Sequence, residues 1–371
     1  MKTVTLYKRN NFNDVSWWTC SLDGKSVIRR WGHKMPLTLD SKNHQAETFE
    51  TEDKAQKEYE SQIEYRMQRR GYTLEVPTTA PTLPMLCQEY KKVPDWSGFA
   101  LQPKLDGIRC IMSEDGLRTR TNLELTSCPH LEFYSQLLPP GIKLDGELYI
   151  DNTPMNIIES FVMRKTPAKQ CYEHVVFNVF DIIDTEAPFE ERIIEAEAII
   201  NRLAEKYTAF RTDPKFKMSE THPYFSIKFP FRLVETIIHQ SPPTTEVITQ
   251  YFEHCTKRGY EGCIIRNTEA PYELNKRSYG IFKLKEFFDD EFEIINVLPG
   301  KNGCGILQCK TATDETFTCN FRGMQNLKRQ MLQFPKLYIG KWLKVEHEGF
   351  FDNGRPRCPV GIHFYDKKDH D

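Results

Sequence analysis

The 371-residue sequence has no apolar run near the ~18 residues that a membrane-spanning helix requires, and its first residues, Met1-Lys2-Thr3-Val4-Thr5, lack the apolar stretch of a secretory signal. The expectation is an intracellular protein, neither secreted nor held in a membrane. CxxC pairs and paired Cys/His spacings are also missing, so the eleven dispersed cysteines predict neither a disulfide framework nor structural zinc. No charge of one sign dominates: 50 Lys and Arg face 52 Asp and Glu, a formal net charge of -2. The whole molecule therefore does not attract polyanions, and any contact with nucleic acid must come from local patches. No internal repeat or low-complexity block is evident.

What is present is a globular mixture long enough for two or three domains of roughly 150 residues each. The first 75 residues begin with strand-like segments around Val4-Thr5-Leu6-Tyr7, Trp17-Trp18-Thr19-Cys20 and Val27-Ile28-Arg29-Arg30-Trp31, with a turn at Asp23-Gly24. Thr51 then reads as an N-cap, Ala55, Tyr59, Ile63 and Met67 recur every fourth residue, and Gly71 closes the helix. A Pro- and Thr-rich linker over 76–83 follows. Residues 84–286 mix strands (99–102 and 175–180) with helices, notably one from Phe189 to Tyr207 in which Ile193, Ile194 and Ala198 are expected on one face. Residues 287–371 are dominated by short strands, with a helix near Met324 to Leu332, and a small β-barrel fits that pattern. The fold class is an α+β multidomain protein.

Four short strings carry chemistry. Lys104-Leu105-Asp106-Gly107-Ile108-Arg109 reads either as an exposed strand ending in an Asp-Gly turn or as a nucleophile loop. A lysine attacks only when deprotonated, and Arg109 or a dry pocket is expected to lower its pKa. Leu144-Asp145-Gly146-Glu147-Leu148-Tyr149 and Glu261-Gly262-Cys263-Ile264-Ile265-Arg266 each set a carboxylate beside a glycine and an apolar strand, an arrangement suited to a ribose hydroxyl or a hydrated Mg²⁺. Phe282-Lys283-Leu284-Lys285 alternates, so two ammonium groups share one side of a strand and suit a phosphate.

In order and spacing these strings, with Thr119-Arg120-Thr121-Asn122 and Phe177 to Asp181, resemble the motifs of ATP-dependent DNA ligases of the covalent nucleotidyltransferase superfamily. The resemblance covers residues 84–286 and implies an adenylation domain of the ATP-grasp-like ligase kind, followed by an oligonucleotide-binding (OB-fold) barrel over 287–371. It implies that Lys104 is adenylylated, that Phe180 stacks on adenine, and that Glu147 and Glu261 serve ribose and metal. Lys283 and Lys285 would bind the α-phosphate, and Arg109 and Arg120 would face the ribose and the 5′-phosphate of the nick. Gln102 stands where many relatives read adenine with Glu. The last motif of such ligases is altered here, leaving Arg357, Lys367 and Lys368 as substitutes for its leaving-group contacts. ATP and Mg²⁺, with Mn²⁺ as a stand-in, are the implied cofactors, nicked duplex DNA the partner, and a monomer the implied state.

The N-terminal segment, with Arg30-Trp31-Gly32-His33, resembles the WGR domain of DNA-end-sensing polymerases, which would make Arg29, Arg30 and Lys34 phosphate contacts; a buried tryptophan in a turn is the structural alternative. Other readings are an mRNA capping guanylyltransferase, an RNA ligase, and a non-catalytic DNA-end-binding protein. Glu261-Gly262, Glu286 after the paired lysines, and Arg109 weigh against the first two, and the intact Lys104, Glu147, Glu261, Lys283 and Lys285 against the third.

Overall fold

The computed structural model describes residues 1–10, 13–33, 43–78, 80–212, 228–300, 303–351 and 353–366. The chain divides into two compact units, Met1–Leu284 and Lys285–Asp371. Among the described residues, no helix is long and apolar enough to cross a membrane.

The first unit opens with an antiparallel sheet of β1 (Lys2–Arg9), β2 (Val15–Asp23), β3 (Ser26–His33) and β4 (His44–Thr48), in that order. Gly24 takes a φ of 55° between β2 and β3, the left-handed geometry for which an Asp-Gly turn selects glycine. Helix α1 (Glu52–Arg70) starts and stops as the sequence predicts. The Thr51 side chain accepts from the amide of Lys54, and Gly71 closes the helix at φ 66°. Ala55, Tyr59 and Ile63 pack on Leu6, Trp18, Cys20 and Val27, whereas Met67 leaves that core. The tryptophan reading changes. Trp31 is 37% exposed on β3, and Trp17 and Trp18 are the buried pair. Gly32 serves Trp17, because a Cβ there would come within 2.7 Å of the indole.

The body of the first unit comprises β5 (Leu86–Glu89), β6 (Phe99–Lys104), β7 (Ile108–Ser113), β8 (Gly116–Thr119), α2 (Pro129–Ser135), β9 (Leu144–Tyr149), α3 (Met155–Val162), α4 (Lys169–His174), β10 (Val176–Ile182), α5 (Phe189–Thr212), β11 (Phe231–Leu233), β12 (Ile237–His239), α6 (Thr245–Lys257), β13 (Gly262–Asn267) and β14 (Arg277–Lys285). They build two five-stranded sheets, one ordered β11-β10-β9-β7-β8 and the other β12-β6-β13-β14-β5. Helix α5 covers the first sheet, but not with the face expected. Ile193 is buried along with Ala196, Ile199, Ile200 and Leu203, while Ile194 is 60% exposed and Ala198 is also exposed. The buried Phe189 and Arg192 lie on the same inward face of that helix.

The two sheets are joined through a buried ion network. Asp181 on β10 is fully buried and receives Arg192 of α5 (2.8 and 3.2 Å) and Arg266 of β13 (2.6 Å). Arg266 also donates to Oε1 of Gln102 on β6 at 2.7 Å, so one carboxylate holds both sheets and a helix together.

The second unit contains β15 (Phe288–Pro299), β16 (Gly305–Lys310), β17 (Thr316–Phe321), α7 (Gln325–Gln333), β18 (Trp342–His347) and β19 (Val360–Tyr365). The strands close as β15-β16-β17-β19-β18, the barrel expected from the strand spacing. Twelve-residue β15 makes closure possible. Its first half pairs with β18 and its second with β16, with an irregularity between Ile294 and Asn296 where the strand turns from one partner to the other.

The buried network predicts a large difference between two Asp→Ala variants in urea unfolding. Asp181→Ala strands two buried guanidinium groups and is expected to cost about 3–5 kcal/mol. Asp151→Ala removes a half-exposed partner of Arg232 and is expected to cost no more than about 1 kcal/mol. Equal losses would contradict the network's role.

Candidate active site

Lys104 ends β6, facing Gly262 of β13, and the amide of Glu261 donates to the Lys104 carbonyl at 3.1 Å. That backbone link delivers the Glu261 carboxylate to the Lys104 ammonium, with which it forms an ion pair. The glycines beside these residues answer a steric demand. A Cβ at Gly107 would overlap the Leu148 carbonyl oxygen, and one at Gly146 would lie 2.6 Å from the Asn178 carbonyl oxygen and the Phe177 ring. Asp106-Gly107 is therefore a close crossing against β9 and no hairpin turn.

The other sheet supplies the rest. Arg109 of β7 is in register with Glu147 of β9. Its guanidinium forks onto Asp145, with Nε 2.9 Å from Oδ1 and Nη2 2.6 Å from Oδ2. Tyr272 donates its hydroxyl to the same carboxylate at 2.6 Å and accepts from Arg109 at 3.2 Å. Phe180 projects from the register shift between Val179 and Asp181 in β10, half-buried, with the Arg109 and Arg266 guanidinium carbons each 5.5 Å from its ring centre. Between the sheets lies a cleft of about 540 Å³ lined by Lys104, Arg109, Glu147 and Phe180. Six cations and four carboxylates line it, a balance suited to a polyphosphate.

The charge on Lys104 departs from expectation. Burial pulls its pKa down, but the charge and hydrogen bond of Glu261, with Glu147 and Asp106 behind, outweigh burial and raise the value above the ordinary one. Arg109, expected to lower it, is committed to Asp145. Glu147 moves the other way: burial pushes its carboxyl up from 4.5 to about 8, against the attraction of Lys104 and Arg109. Among the described residues no group of three or more His, Cys, Asp or Glu could hold a metal. Two carboxylates acting on one ammonium nevertheless fit Mg²⁺, which takes one or two protein carboxylates and completes its shell with water and substrate phosphate.

The remaining expected site residues divide. Gln102 is only 1% exposed, and its amide is spent: Oε1 accepts from Arg266, while Nε2 donates to the Phe180 carbonyl (3.1 Å) and to the Thr236 hydroxyl (2.9 Å). Its polar atoms therefore position Phe180 and Arg266. Lys283 lines the cleft and pairs with Glu89 at 2.9 Å. Lys285 falls in the second unit, where its ammonium pairs with Glu348. Arg120 lines the cleft from the exposed turn after β8. Arg357 lies in the second unit, its backbone paired with Glu348 and Gly349, and Lys367 and Lys368 lie outside the described residues. In the N-terminal sheet Arg29 is 8% exposed and bound to Glu47 and Glu58, so its charge is neutralised and it is not available to a phosphate. Arg30 is half-buried, and Lys34 lies outside the described residues. Sequence reasoning missed Asp145, Tyr272, Asp181 and Arg266 as positioning groups. The legible signal was Arg266, a cation directly after the apolar run from Cys263 to Ile265 and within the same strand.

A family model described as ATP dependent DNA ligase domain matches residues 84–285, more than half of the chain. A DNA ligase of Haemophilus influenzae is 26% identical over 278 residues, covering 74% of this chain and 88% of that protein. A DNA ligase of African swine fever virus is 24% identical over 292 residues, and this chain spans 64% of its length. A solved Lig E DNA ligase structure, described as DNA binding with a minimal scaffold, shares the fold with a TM-score of 0.58 at 22% identity, covering 77% of this chain and all of the other.

The raised pKa of Glu147 sets a pH-dependent stability. A carboxyl whose pKa is higher folded than unfolded stabilises the fold fully below its unfolded value, and that contribution is lost as pH rises through the folded value. In the metal-free protein the melting temperature of Glu147→Gln relative to wild type is therefore expected to climb from about pH 4.5 to about pH 8 and then level off. A difference independent of pH would contradict the burial of this carboxyl.

Proposed function

The chain belongs to the ATP-dependent DNA ligase domain family, and on that premise we propose that it joins 3′-hydroxyl and 5′-phosphate ends at nicks in duplex DNA through a lysyl-AMP on Lys104. The observation that carries this reading is the placement of Lys104 at the rim of a positively lined cleft, ion-paired to Glu261 and facing Arg109, Glu147 and Phe180 from the opposite sheet.

In this reading Lys104 Nζ forms a bond to the α-phosphorus of ATP as the bond to pyrophosphate breaks. The ammonium must first lose a proton, and Glu261 is the carboxylate hydrogen-bonded to it. Phe180 offers its ring face to adenine, with Gln102 fixing the strand beneath it. Arg109, held flat by Asp145 and Tyr272, presents its remaining donor edge to the nucleotide. Lys283 and Arg120, which line the cleft, supply positive charge for the phosphates of nucleotide and nick. Mg²⁺, held by Glu147 and Glu261, would neutralise phosphate charge. AMP then passes to the 5′-phosphate, and the 3′-hydroxyl displaces it. Little covalent chemistry is asked of the protein, and catalysis is positioning and charge stabilisation.

The closed barrel of the second unit serves as an OB-fold over 287–371 in this account, and the first 75 residues as a WGR-like module of four strands and a helix, joined by 76–83 to the adenylation domain 84–286. The protein acts inside the cell as a monomer.

Incubation with α-labelled ATP or GTP, followed by denaturing electrophoresis and nicked DNA, tests the proposal. ATP is expected to label the wild-type chain, GTP at least tenfold less, and nicked DNA to discharge the label with the appearance of joined strand. Lys104→Ala is expected to show neither label nor joining. Labelling of Lys104→Ala, or preference for GTP, would overturn the reading.

A further inference from the structure

We propose that a row of cations runs from the catalytic cleft onto the C-terminal end of α1 and grips the phosphate backbone of duplex DNA flanking the nick. The proposal rests on the nick-sealing reading above and adds a surface that neither the motifs nor β3 supplies.

The cleft is not closed on the side of the N-terminal sheet. A crevice of about 390 Å³ between α1 and the body of the first unit is lined by Met67 and Tyr72 on one side and by Leu125 and Arg164 on the other, and it shares Leu123 and Met163 with the catalytic cleft. The two spaces therefore meet at the loop that carries Arg120. The N-terminal sheet is docked there: a Cβ on Gly71 would lie 3.2 Å from Leu123, and Glu64 of α1 pairs with Lys165.

Charge at this junction is unbalanced. Several cations of the unit are paired: Lys104 with Glu261, Lys283 with Glu89, Arg29 with Glu47, Arg192 with Asp181. Around Leu123 they are not. Among the described residues Arg120, Arg164, Lys8 and Arg70 have no carboxylate partner. Lys8 Nζ lies 3.8 Å from the Cβ position of Gly71 and donates to the Arg70 carbonyl at 2.6 Å. Burial, and then the like charge of Arg70, hold the Lys8 ammonium below its ordinary value, a strain that an anion relieves. Arg70 is exposed and steadied by the Tyr65 hydroxyl at 3.1 Å. Of the carboxylates nearby, Glu64 is spent on Lys165, Glu124 lines the crevice and Glu159 lines the cleft. In a chain of net charge -2, unpaired cations gathered beside the residue expected to meet the nick phosphate fit a regularly spaced polyanion passing from cleft to helix.

The test measures the affinity of the full chain for labelled nicked duplex across a range of KCl concentrations, for wild type, Arg70→Gln, Lys8→Gln and the double variant, with thermal melting to verify folding. Each lost phosphate contact is expected to lower the slope of log K against log salt by about 1, so the double variant loses about 2 and binds more weakly at every salt concentration. Arg70→Gln, on an exposed side chain, keeps the test decisive if Lys8→Gln unfolds. Folded variants with the wild-type slope and affinity would overturn the proposal. Lysyl-nucleotide formation by the wild-type chain without DNA is measured alongside, and its failure would count against the nick-sealing reading and leave this surface to be judged on binding alone.

Discussion

The carboxylate of Asp181 is the interaction on which the rest depends. It has no solvent, and two guanidinium groups converge on it from different elements, Arg192 from the helix over one sheet and Arg266 from the middle of the other. A charge buried this way is tolerated only when fully paired, so the network permits one relative placement of the two sheets. That placement sets the width of the cleft. It also sets the strand from which Phe180 projects, because Gln102, the fourth member, ties the Phe180 carbonyl to Arg266 and to the strand that ends in Lys104. Lys104 and the aromatic ring opposite it thus share one polar anchor.

Above that anchor the site is poised by opposing charges. Lys104 is drawn toward its charged form by Glu261, and Glu147 is pushed toward its neutral form by burial. Any group that enters and competes for these carboxylates shifts both equilibria in the same direction, weakening the hold on the lysine proton and stabilising the ionised glutamate. A lysine held as an ammonium does not react with stray electrophiles.

Much of this was legible in the sequence, and the failures have physical causes. The Thr51 cap, the Gly71 stop, the strands bearing Lys104, Glu147 and Phe180, and the barrel were all readable, because caps and apolar periodicity are local signals. Ile194 was misplaced on the inner face of α5 because a buried arginine counts as polar in any hydrophobic pattern, yet Arg192 is inside with Asp181. Arg29 was read as a phosphate contact because sequence does not show Glu47 and Glu58 folding onto it. Lys104 was expected to be pushed toward its neutral form by Arg109, but Arg109 is committed to Asp145, 36 residues away, and Glu261, 157 residues away, holds Lys104 in its charged form. Each error concerns which charge meets which, a long-range fact that spacing along a chain does not encode.

The central claim is that Lys104, among the 50 cationic side chains, is the one that becomes covalently modified. The most direct measurement is tandem mass spectrometry of peptides from protein incubated with ATP and Mg²⁺. One AMP is expected, on Lys104, and it disappears on addition of nicked DNA. An adduct on any other residue, or an unmodified Lys104 peptide from protein that still joins strands, would contradict it.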